Sequence, residues 1–310
     1  MAPVDLHTHT SVSDGRLGPE QLIAAAAESG VRVLVITDHS AVTWSKALVR
    51  RAAALGVSLP FPGMELSTVH EGERYHVLVY GSGCLDPGFA VYASRPNQVK
   101  NERIGRALDV LRTEHRGIPD LPAVLRGRLP DGSQLHPHKR LLSRTDTCNV
   151  LASFLDRGVE DTRVLLSAAL REVDRRDPIL GSHENTYLPT AETIERAVEA
   201  GCLPVLAHPL WRLPDEDSDR SRLERDLRLF RRLGLRGAEV ASYHHPRPGA
   251  DPRLVALLPD LGLERSGGSD FHGNGKSWLG RYGLTSAEFD RLARLMPRNG
   301  SETKQSGTLV

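Results

Sequence analysis

The alternation of strand and helix in residues 4–37 constrains the fold more than any other feature of the chain. A short strand ends at Leu6, and a helix follows whose start is marked by Pro19 and whose end is marked by Gly30. Residues 31–37 form a continuous apolar run rich in β-branched side chains, which is typical of a strand buried on both faces of a parallel sheet. This βαβ unit predicts an α/β fold.

Potential metal ligands follow the two strands of this unit. His7 and His9 are one residue apart, so in extended backbone both imidazoles point to the same side. Asp14 comes next in a predicted turn, and His39 follows the second strand. Because α/β sheets place their chemistry at the carboxyl ends of parallel strands, we expect these side chains to meet. The pattern indicates a metal site.

The same pattern recurs along the chain, with potential ligands at or beside each later strand. Further helices are predicted at 45–55, 190–200 and 220–233, and further strands at 57–62, 76–81, 202–207, 237–241 and near 265. Gathered at one sheet edge, imidazoles and carboxylates in this number would suit a multinuclear site for borderline divalent metals. The full candidate set is His7, His9, Asp14, His39, Glu65, His76, His208, Asp270 and His272.

The middle of the chain lacks this alternation of strands and helices. Residues 97–116, 141–156 and 161–175 have helical spacing with many arginines, and a loop rich in Pro and Gly covers 119–137. We therefore predict an α-helical insertion at 95–188 within a domain formed by 1–94 and 189–296. Residues 297–310 are polar and rich in Gly and Ser, and they are predicted to be a disordered tail.

Composition narrows the function classes. A length of 310 residues suits one large α/β domain with an insertion, and 40 basic against 39 acidic residues give no global attraction to nucleic acid or anionic membranes. The three cysteines lack CxxC spacing, which predicts buried thiols in a reducing compartment rather than disulfides or a structural zinc site. Without a long apolar run or a signal sequence, the protein is expected to be soluble and cytoplasmic. No obligate protein partner is indicated.

Six motifs in order, HTHTSVSDG, ITDHS, GMELS, the strand containing His76, LAHP and GGSDFH, resemble those of the polymerase and histidinol phosphatase (PHP) superfamily over residues 4–94 and 189–285. The resemblance implies a distorted seven-stranded (β/α) barrel that holds two to three divalent ions of Mn, Zn or Fe. It also implies three ligand groups. They are His7, His9, Glu65 and Asp270; Glu65, His76 and His208; and Asp14, His39 and His272.

The insertion resembles that of a PHP subgroup of stand-alone phosphoesterases, which includes nucleotide phosphatases and a 5′-to-3′ exoribonuclease. In that subgroup an arginine in an Arg-x-His context is expected to bind phosphate; here Arg144 matches, but Asp146 stands in place of the histidine. Ser40 stands where the subgroup has an acidic residue after TDH. Weaker candidates for phosphate binding are Arg103, Arg106 and Arg212, which are otherwise solvated charges.

The expected function is that of a metal-dependent phosphatase for a small metabolite or nucleotide. Clustered divalent ions generate hydroxide from a bridging water and neutralise charge on the phosphoryl group. Asp270 and His208 in the ligand set are candidate catalytic residues, and His183 either protonates the leaving oxygen or is a plain loop histidine.

The alternatives are a 5′-to-3′ exonuclease or a cyclic phosphodiesterase. An aromatic content of 5% leaves few platforms for stacked bases, which disfavours nucleic acid as the substrate. A non-catalytic binding module would be expected to lack ligands, yet all nine are present.

Overall fold

The computed structural model describes residues 3–125, 143–209, 217–242, 249–250, 252–273 and 278–297. Within these ranges the strands are β1 (Val4–Asp5), β2 (Val33–Leu34), β3 (Gly63–His70), β4 (Glu73–Tyr80), β5 (Leu188–Pro189), β6 (Leu203–Ala207), β7 (Gly237–Glu239), β8 (Ala241–Ser242), β9 (Gly249–Ala250) and β10 (Glu264–Ser266).

The helices alternate with these strands, as the sequence predicts for an α/β protein. They are α1 (Pro19–Glu28), α2 (Lys46–Ala54), α3 (Pro87–Glu114), α4 (Leu121–Leu125), α5 (Arg144–Leu155), α6 (Val159–Arg176), α7 (His183–Thr186), α8 (Thr190–Glu199), α9 (Asp217–Leu233), α10 (Pro252–Asp260) and α11 (Ser286–Ala293).

The main sheet has six strands in the order β10-β7-β6-β4-β3-β5. Its pairs are parallel except at β4, which runs antiparallel to both β3 and β6. The antiparallel pair follows from a two-residue turn in which Glu71 and Gly72 both have positive φ, 47° and 81°. Such a turn matches the twist of a hairpin. Of the predicted strand at 57–62, only Ser58 pairs, in a single parallel bridge with Val33, and the strand of the hairpin begins later, at Gly63.

The first two strands form a separate parallel pair, β1 with β2. Only Val33–Leu34 of the predicted strand at 31–37 lies in a ladder. Single parallel bridges extend the pairing beyond these ladders: Thr8, after β1, pairs with Phe271, after β10, and His39, after β2, pairs with Glu65 of β3. The hydrogen-bonded ladders among the described residues leave the main sheet open, so they do not by themselves form the expected barrel.

Apolar side chains from the sheet and from α8 and α9 form the core beneath the strand ends. Met64, Leu66 and Val77 of the β3–β4 hairpin pack with Ile194 of α8 and Phe230 of α9, and all are buried. The three cysteines are buried free thiols, as the composition predicts. In the described part of the chain, no helix combines the length and apolar character needed to cross a membrane.

Helix α3 connects this core to a second one in the middle of the chain. Asp86 caps its start by accepting a hydrogen bond from the Phe89 N–H at 2.8 Å, so the helix begins earlier than the predicted residue 97 and continues through Pro96. Its first half packs on the core beneath the sheet, whereas its second half joins α4, α5 and α6 around Leu108 and Leu166. The predicted boundary at 94/95 therefore falls inside a helix, and residues 126–142 and 298–310 lie outside the described residues.

Candidate metal centre

The segment after β1 carries the first two histidines into the interior. The buried carboxylate of Asp5 accepts hydrogen bonds from the backbone N–H groups of His7, Ser269 and Gly280, at 3.3, 2.9 and 2.8 Å. These bonds fix the segment against the chain that follows β10. Gly268 allows the close approach, because a Cβ atom there would lie 2.3 Å from the Cβ atom of His7.

A second buried carboxylate, Asp38, shapes the turn that follows His9. It accepts hydrogen bonds from the backbone N–H and the hydroxyl of Thr10, at 2.7 and 2.6 Å, and from the hydroxyls of Ser13 and Thr43, both at 2.5 Å. With four donors the carboxylate is satisfied without a metal ion. Asp38 therefore holds the loop that presents Asp14 and is not itself available as a ligand.

Glu65 of β3 is the centre of the cluster. Its Oε2 atom lies 3.3 Å from His7 Nε2, 3.1 Å from His9 Nε2 and 3.3 Å from His39 Nδ1. A further two imidazoles, those of His76 and His208, lie 2.8 and 3.2 Å from its Oε1 atom. The side chain is only 1% exposed. One buried carboxylate thus contacts five imidazoles from four segments of the chain.

Three overlapping groups of side chains have ligand atoms within 4.8 Å of one another. Their members are those implied by the family resemblance, except that the third group also contains His9. The structure thus brings all nine predicted ligands together. The groups are His7, His9, Glu65 and Asp270; Glu65, His76 and His208; and His9, Asp14, His39 and His272.

The nitrogen and oxygen atoms of the cluster are better suited to coordinate metal ions than to form hydrogen bonds with one another. Nε2 of His7 and Nε2 of His9 are 3.2 Å apart, and at most one lone pair in such a contact can be satisfied by a proton. The buried Nδ1 atoms of His9 and His39 have no hydrogen-bond partner among the described residues. Buried nitrogen lone pairs that converge with carboxylate oxygens are the ligands that Zn²⁺ and related divalent ions prefer.

The pKa values of the imidazoles in the cluster shift in opposite directions. Burial lowers the pKa of His9, but hydrogen bonds with Asp270 and Glu65 outweigh it and raise the pKa to about 10. At His39 burial dominates over the attraction of Glu65 and Asp14, and the pKa falls to about 3. Neighbouring imidazoles thus differ in protonation at neutral pH.

Strained backbone accompanies the cluster. Ser40, His208 and Asp270 have φ angles of 51°, 27° and 51°, values that non-glycine residues rarely adopt. Ser40 directly follows the candidate ligand His39, and His208 and Asp270 are candidate ligands themselves. All three residues lie at the end of a strand segment. Such strain is retained where the surrounding structure enforces it, and it concentrates at functional sites.

Glu239, the last residue of β7, was not predicted from the sequence as a functional residue. Its carboxylate is 2% exposed; both oxygens lie 3.2 Å from His7 Nδ1, and Oε2 accepts the backbone N–H of His208 at 2.9 Å. Glu239 thus orients one imidazole and one backbone segment of the cluster from behind. An acidic residue inside the apolar segment GAEVA, where a charge needs a buried partner, is the signal that could have identified it.

The predicted phosphate-binding arginines of the insertion are engaged elsewhere. Arg103 forms a bidentate pair with Asp174, at 2.7 and 2.5 Å, and Arg106 pairs with Asp177 at 2.7 Å as well as with Glu102. These pairs join α3 to α6 and its C-terminal end. They give both arginines a structural role within the insertion.

Three predicted residues lie wholly or partly outside the described parts of the chain. Arg212 is outside them altogether, and only the backbone is described for Arg144 at the start of α5 and for His183 at the start of α7. Asp146 has a local role, because its carboxylate accepts hydrogen bonds from the backbone N–H and the hydroxyl of Ser143 in a capping box. Its place in the motif is thus explained by helix capping.

Relatives in sequence cover most of the chain. A family model described as the PHP domain matches residues 5–85. A 3′,5′-nucleoside bisphosphate phosphatase from Chromobacterium violaceum is 30% identical over 279 residues, covering 89% of each chain. The 5′-3′ exoribonuclease Rnm from Escherichia coli is 28% identical over 286 residues, covering 86% of this chain and 84% of the relative.

The fold has a counterpart among solved structures. A protein from Bifidobacterium adolescentis, assigned as a metal-dependent phosphoesterase, superposes with a TM-score of 0.69. The two are 22% identical, and the superposition covers 94% of this chain and 96% of the other. The likeness in fold therefore extends over the strands and the helices of the middle segment alike.

Proposed function

This chain belongs to the PHP family and is a hydrolase of phosphoester bonds, and from that premise we propose that it hydrolyses a phosphomonoester of a small metabolite or nucleotide. The observation that carries the proposal is the position of Glu65. Buried among five imidazoles, its carboxylate is shared by two of the three ligand groups. A shared carboxylate holds ions close enough to act on one phosphoryl group.

The nine ligands would hold two to three divalent ions of Mn, Zn or Fe, which when bound supply Lewis acidity and activate water. The chain's own residues keep this arrangement in place. Glu239 orients His7 through Nδ1, so that Nε2 faces the centre. Asp14, which is 27% exposed at its side chain, is the ligand most accessible from solvent and thus marks the side from which substrate enters.

A small substrate suits the surroundings of the centre. A cavity of about 1130 Å³ adjoins the His39 side and is lined by Ser40, Asn97 and Asn101 among others. This volume lies slightly above the usual range of ligand pockets, about 300–1,000 Å³, and is large enough for a nucleotide. Neutral amides and hydroxyls fit the uncharged parts of such a substrate, with its phosphate directed to the metal centre.

The second candidate is a 5′-to-3′ exonuclease, favoured by the identity with an exoribonuclease over most of the chain. Two insertion arginines, Arg103 and Arg106, are neutralised by carboxylates and are poor candidates for tracking a polynucleotide backbone. We therefore rank nucleic acid below a small phosphorylated substrate. A cyclic phosphodiester is a third substrate class for the same centre.

We also propose that the strands form the distorted seven-stranded barrel implied by the family resemblance. The bridges from Thr8 to Phe271 and from His39 to Glu65 support it, because they connect the separate β1–β2 pair to strand segments at the two sides of the main sheet. The helices of 95–188 would then form a cap on this barrel. Their own apolar core around Leu108 and Leu166 supports that division.

The test is phosphate release from mononucleotides, nucleoside bisphosphates, sugar phosphates and 5′-phosphorylated oligonucleotides by protein reloaded with Mn²⁺, Zn²⁺ or Fe²⁺. We expect turnover of monomers in preference to oligonucleotides. Stepwise shortening of oligonucleotides at a higher kcat/KM would favour the nuclease instead. Arg144→Ala is included because it should raise KM if this arginine binds phosphate, and unchanged kinetics would remove it from the site.

A further inference from the structure

The cavity of about 1130 Å³ lies beside the metal centre, and none of the nine candidate ligands, all within the described ranges, forms part of its wall. Two wall residues connect it to the centre. Ser40 directly follows His39, and Asn97 of α3 donates a hydrogen bond from Nδ2 to the backbone oxygen of His39 at 2.7 Å. The cavity therefore suits a part of the substrate other than the reacting phosphate.

The wall of this cavity is poor in charge and rich in apolar side chains. Glu20 is the one charged residue of the wall in the described part of the chain, so no cation is present there to bind a phosphate group. Val42, Leu48, Met64 and Leu85 contribute apolar surface. A flat ring system fits such a wall better than a sugar, because each hydroxyl group of a sugar would need a hydrogen-bond partner.

Helix α3 contributes a polar stripe to the wall. The stripe consists of Ser94, Asn97, Gln98 and Asn101, whose i, i+3, i+4, i+7 spacing puts their side chains on one face of the helix. At this spacing a helix usually turns apolar residues towards a core. Uncharged polar side chains in their place suit contact with the polar edge of a ligand.

Backbone carbonyl groups fix the orientation of two amides in this stripe. Because the His39 oxygen can only accept, Asn97 must present its NH₂ group to it, and its buried Oδ1 atom has no hydrogen-bond partner among the described residues. The Ser94 hydroxyl donates to the Val91 oxygen at 2.9 Å and accepts from Gln98 Nε2 at 2.9 Å. In both amides the NH₂ group is thus engaged, and the oxygen remains to accept.

We propose that Asn97 and Gln98 determine specificity by accepting hydrogen bonds from an amino group on the base of a nucleotide bound in this cavity. The inference rests on the proposed phosphoesterase function and narrows its substrate class to nucleotides whose base carries an exocyclic amino group, as adenine does. A base without that group would leave the buried oxygen of Asn97 unsatisfied, and sites built to form a hydrogen bond reject such analogues.

The experiment compares adenosine 5′-monophosphate with purine riboside 5′-monophosphate, which lacks only the 6-amino group. With manganese-loaded protein, the ratio of kcat/KM for the first nucleotide to that for the second measures recognition of the amino group. We expect a ratio of about 10 to 100 in the wild-type protein, the effect of leaving one buried acceptor without a donor. A wild-type ratio near one would overturn the proposal.

Variants test the two amides separately. Asn97→Leu should bring the ratio close to one, and Gln98→Leu should lower it by about 2- to 10-fold. Gln98→Glu keeps oxygen acceptors in the same place and should retain the preference. An unchanged ratio in a leucine variant, with equal losses for both nucleotides, would show a purely structural effect and overturn the role of that residue. Gln98 is exposed, so its variants should fold even if Asn97→Leu does not.

The control is Thr113→Val, a change of similar shape in an exposed residue of the same helix, whose hydroxyl donates to the Val110 oxygen at 2.7 Å. It should leave the ratio unchanged. Faster hydrolysis of sugar phosphates than of either nucleotide would overturn the base pocket even though the enzyme is a phosphatase. If no phosphomonoester is hydrolysed, the proposed function fails, and the ratio of the dissociation constants of the two nucleotides, measured by calorimetry, decides the recognition independently.

Discussion

Glu239→Gln should weaken metal binding although Glu239 is not a predicted ligand. The carboxylate faces the ring N–H that His7 presents through Nδ1 and accepts the backbone N–H of His208. A glutamine of the same shape keeps only one acceptor oxygen, and its NH₂ group must then face one of these two donors. Since His7 and His208 belong to different ligand groups, the change disturbs two groups at once.

Two independent estimates of the free-energy cost of Glu239→Gln agree. The loss of a hydrogen bond to a charged group costs about 1.5–3 kcal/mol. Changes in residues that orient metal ligands lower metal affinity about 10- to 100-fold, which corresponds to roughly 1.4–2.7 kcal/mol. We therefore expect the dissociation constant of the affected metal to rise by about one to two orders of magnitude.

The assay is competition with a chromogenic chelator, with metal content counted by mass spectrometry and folding followed by circular dichroism. Glu264→Gln is the matched control, because Glu264 lies on the neighbouring strand β10 and its carboxylate is 3.5 Å from Arg291, away from the centre. A dissociation constant for Glu239→Gln within twofold of that of the control would refute the orienting role of this carboxylate.

Three further predictions concern the centre itself. Glu65→Ala should abolish activity and remove most bound metal, because it deletes the carboxylate that contacts five imidazoles; full metal content by mass spectrometry would contradict the assignment. Metal affinity should increase as pH rises towards 10, since a pKa of about 10 means that His9 must release a proton to bind a metal. Without a bound metal, the raised pKa of His9 also stabilises the folded state at low pH, and this stability is lost as pH rises through about 10. Calorimetry in buffers of different ionisation enthalpy measures that proton, and a pH-independent affinity would refute it. Gly268→Ala should destabilise the metal-free protein by about 1–3 kcal/mol in urea unfolding, because its Cβ atom would overlap His7, whereas Gly105→Ala on α3 meets only an ordinary contact and should not.

The ligands were predictable from the sequence because their spacing follows strand geometry. His7 and His9 are two residues apart in extended chain, and that period alone places both imidazoles on one side. The antiparallel hairpin of β3 and β4 was not predicted, since a Glu-Gly pair is a weaker turn signal than Asn-Gly or Asp-Gly. Its register nevertheless places His76 opposite Ser67, two residues beyond Glu65.

The groups around the ligands depend on tertiary contacts that no local pattern encodes. Glu239 and Asn97 reach the site from a distant strand and from a helix of the insertion. Arg103 and Arg106 were weaker candidates for phosphate binding or else solvated charges, and their ion pairs were not predicted because Asp174 and Asp177 lie 71 residues away in sequence. Charge alone therefore did not distinguish a binding residue from a structural ion pair.

Because α3 is continuous, it connects the surroundings of the metal centre to the insertion. Its 28 residues begin against the core beneath the sheet, contact His39 through Asn97, and end in the apolar core of the insertion. Beyond Pro96, where one backbone hydrogen bond of the helix is missing, the remaining 18 residues extend about 27 Å, so a bend of about 10° there would move the far end by roughly 5 Å. A small change in the direction of α3 beside the metal centre would therefore displace the insertion by several ångströms, because the same helix belongs to both.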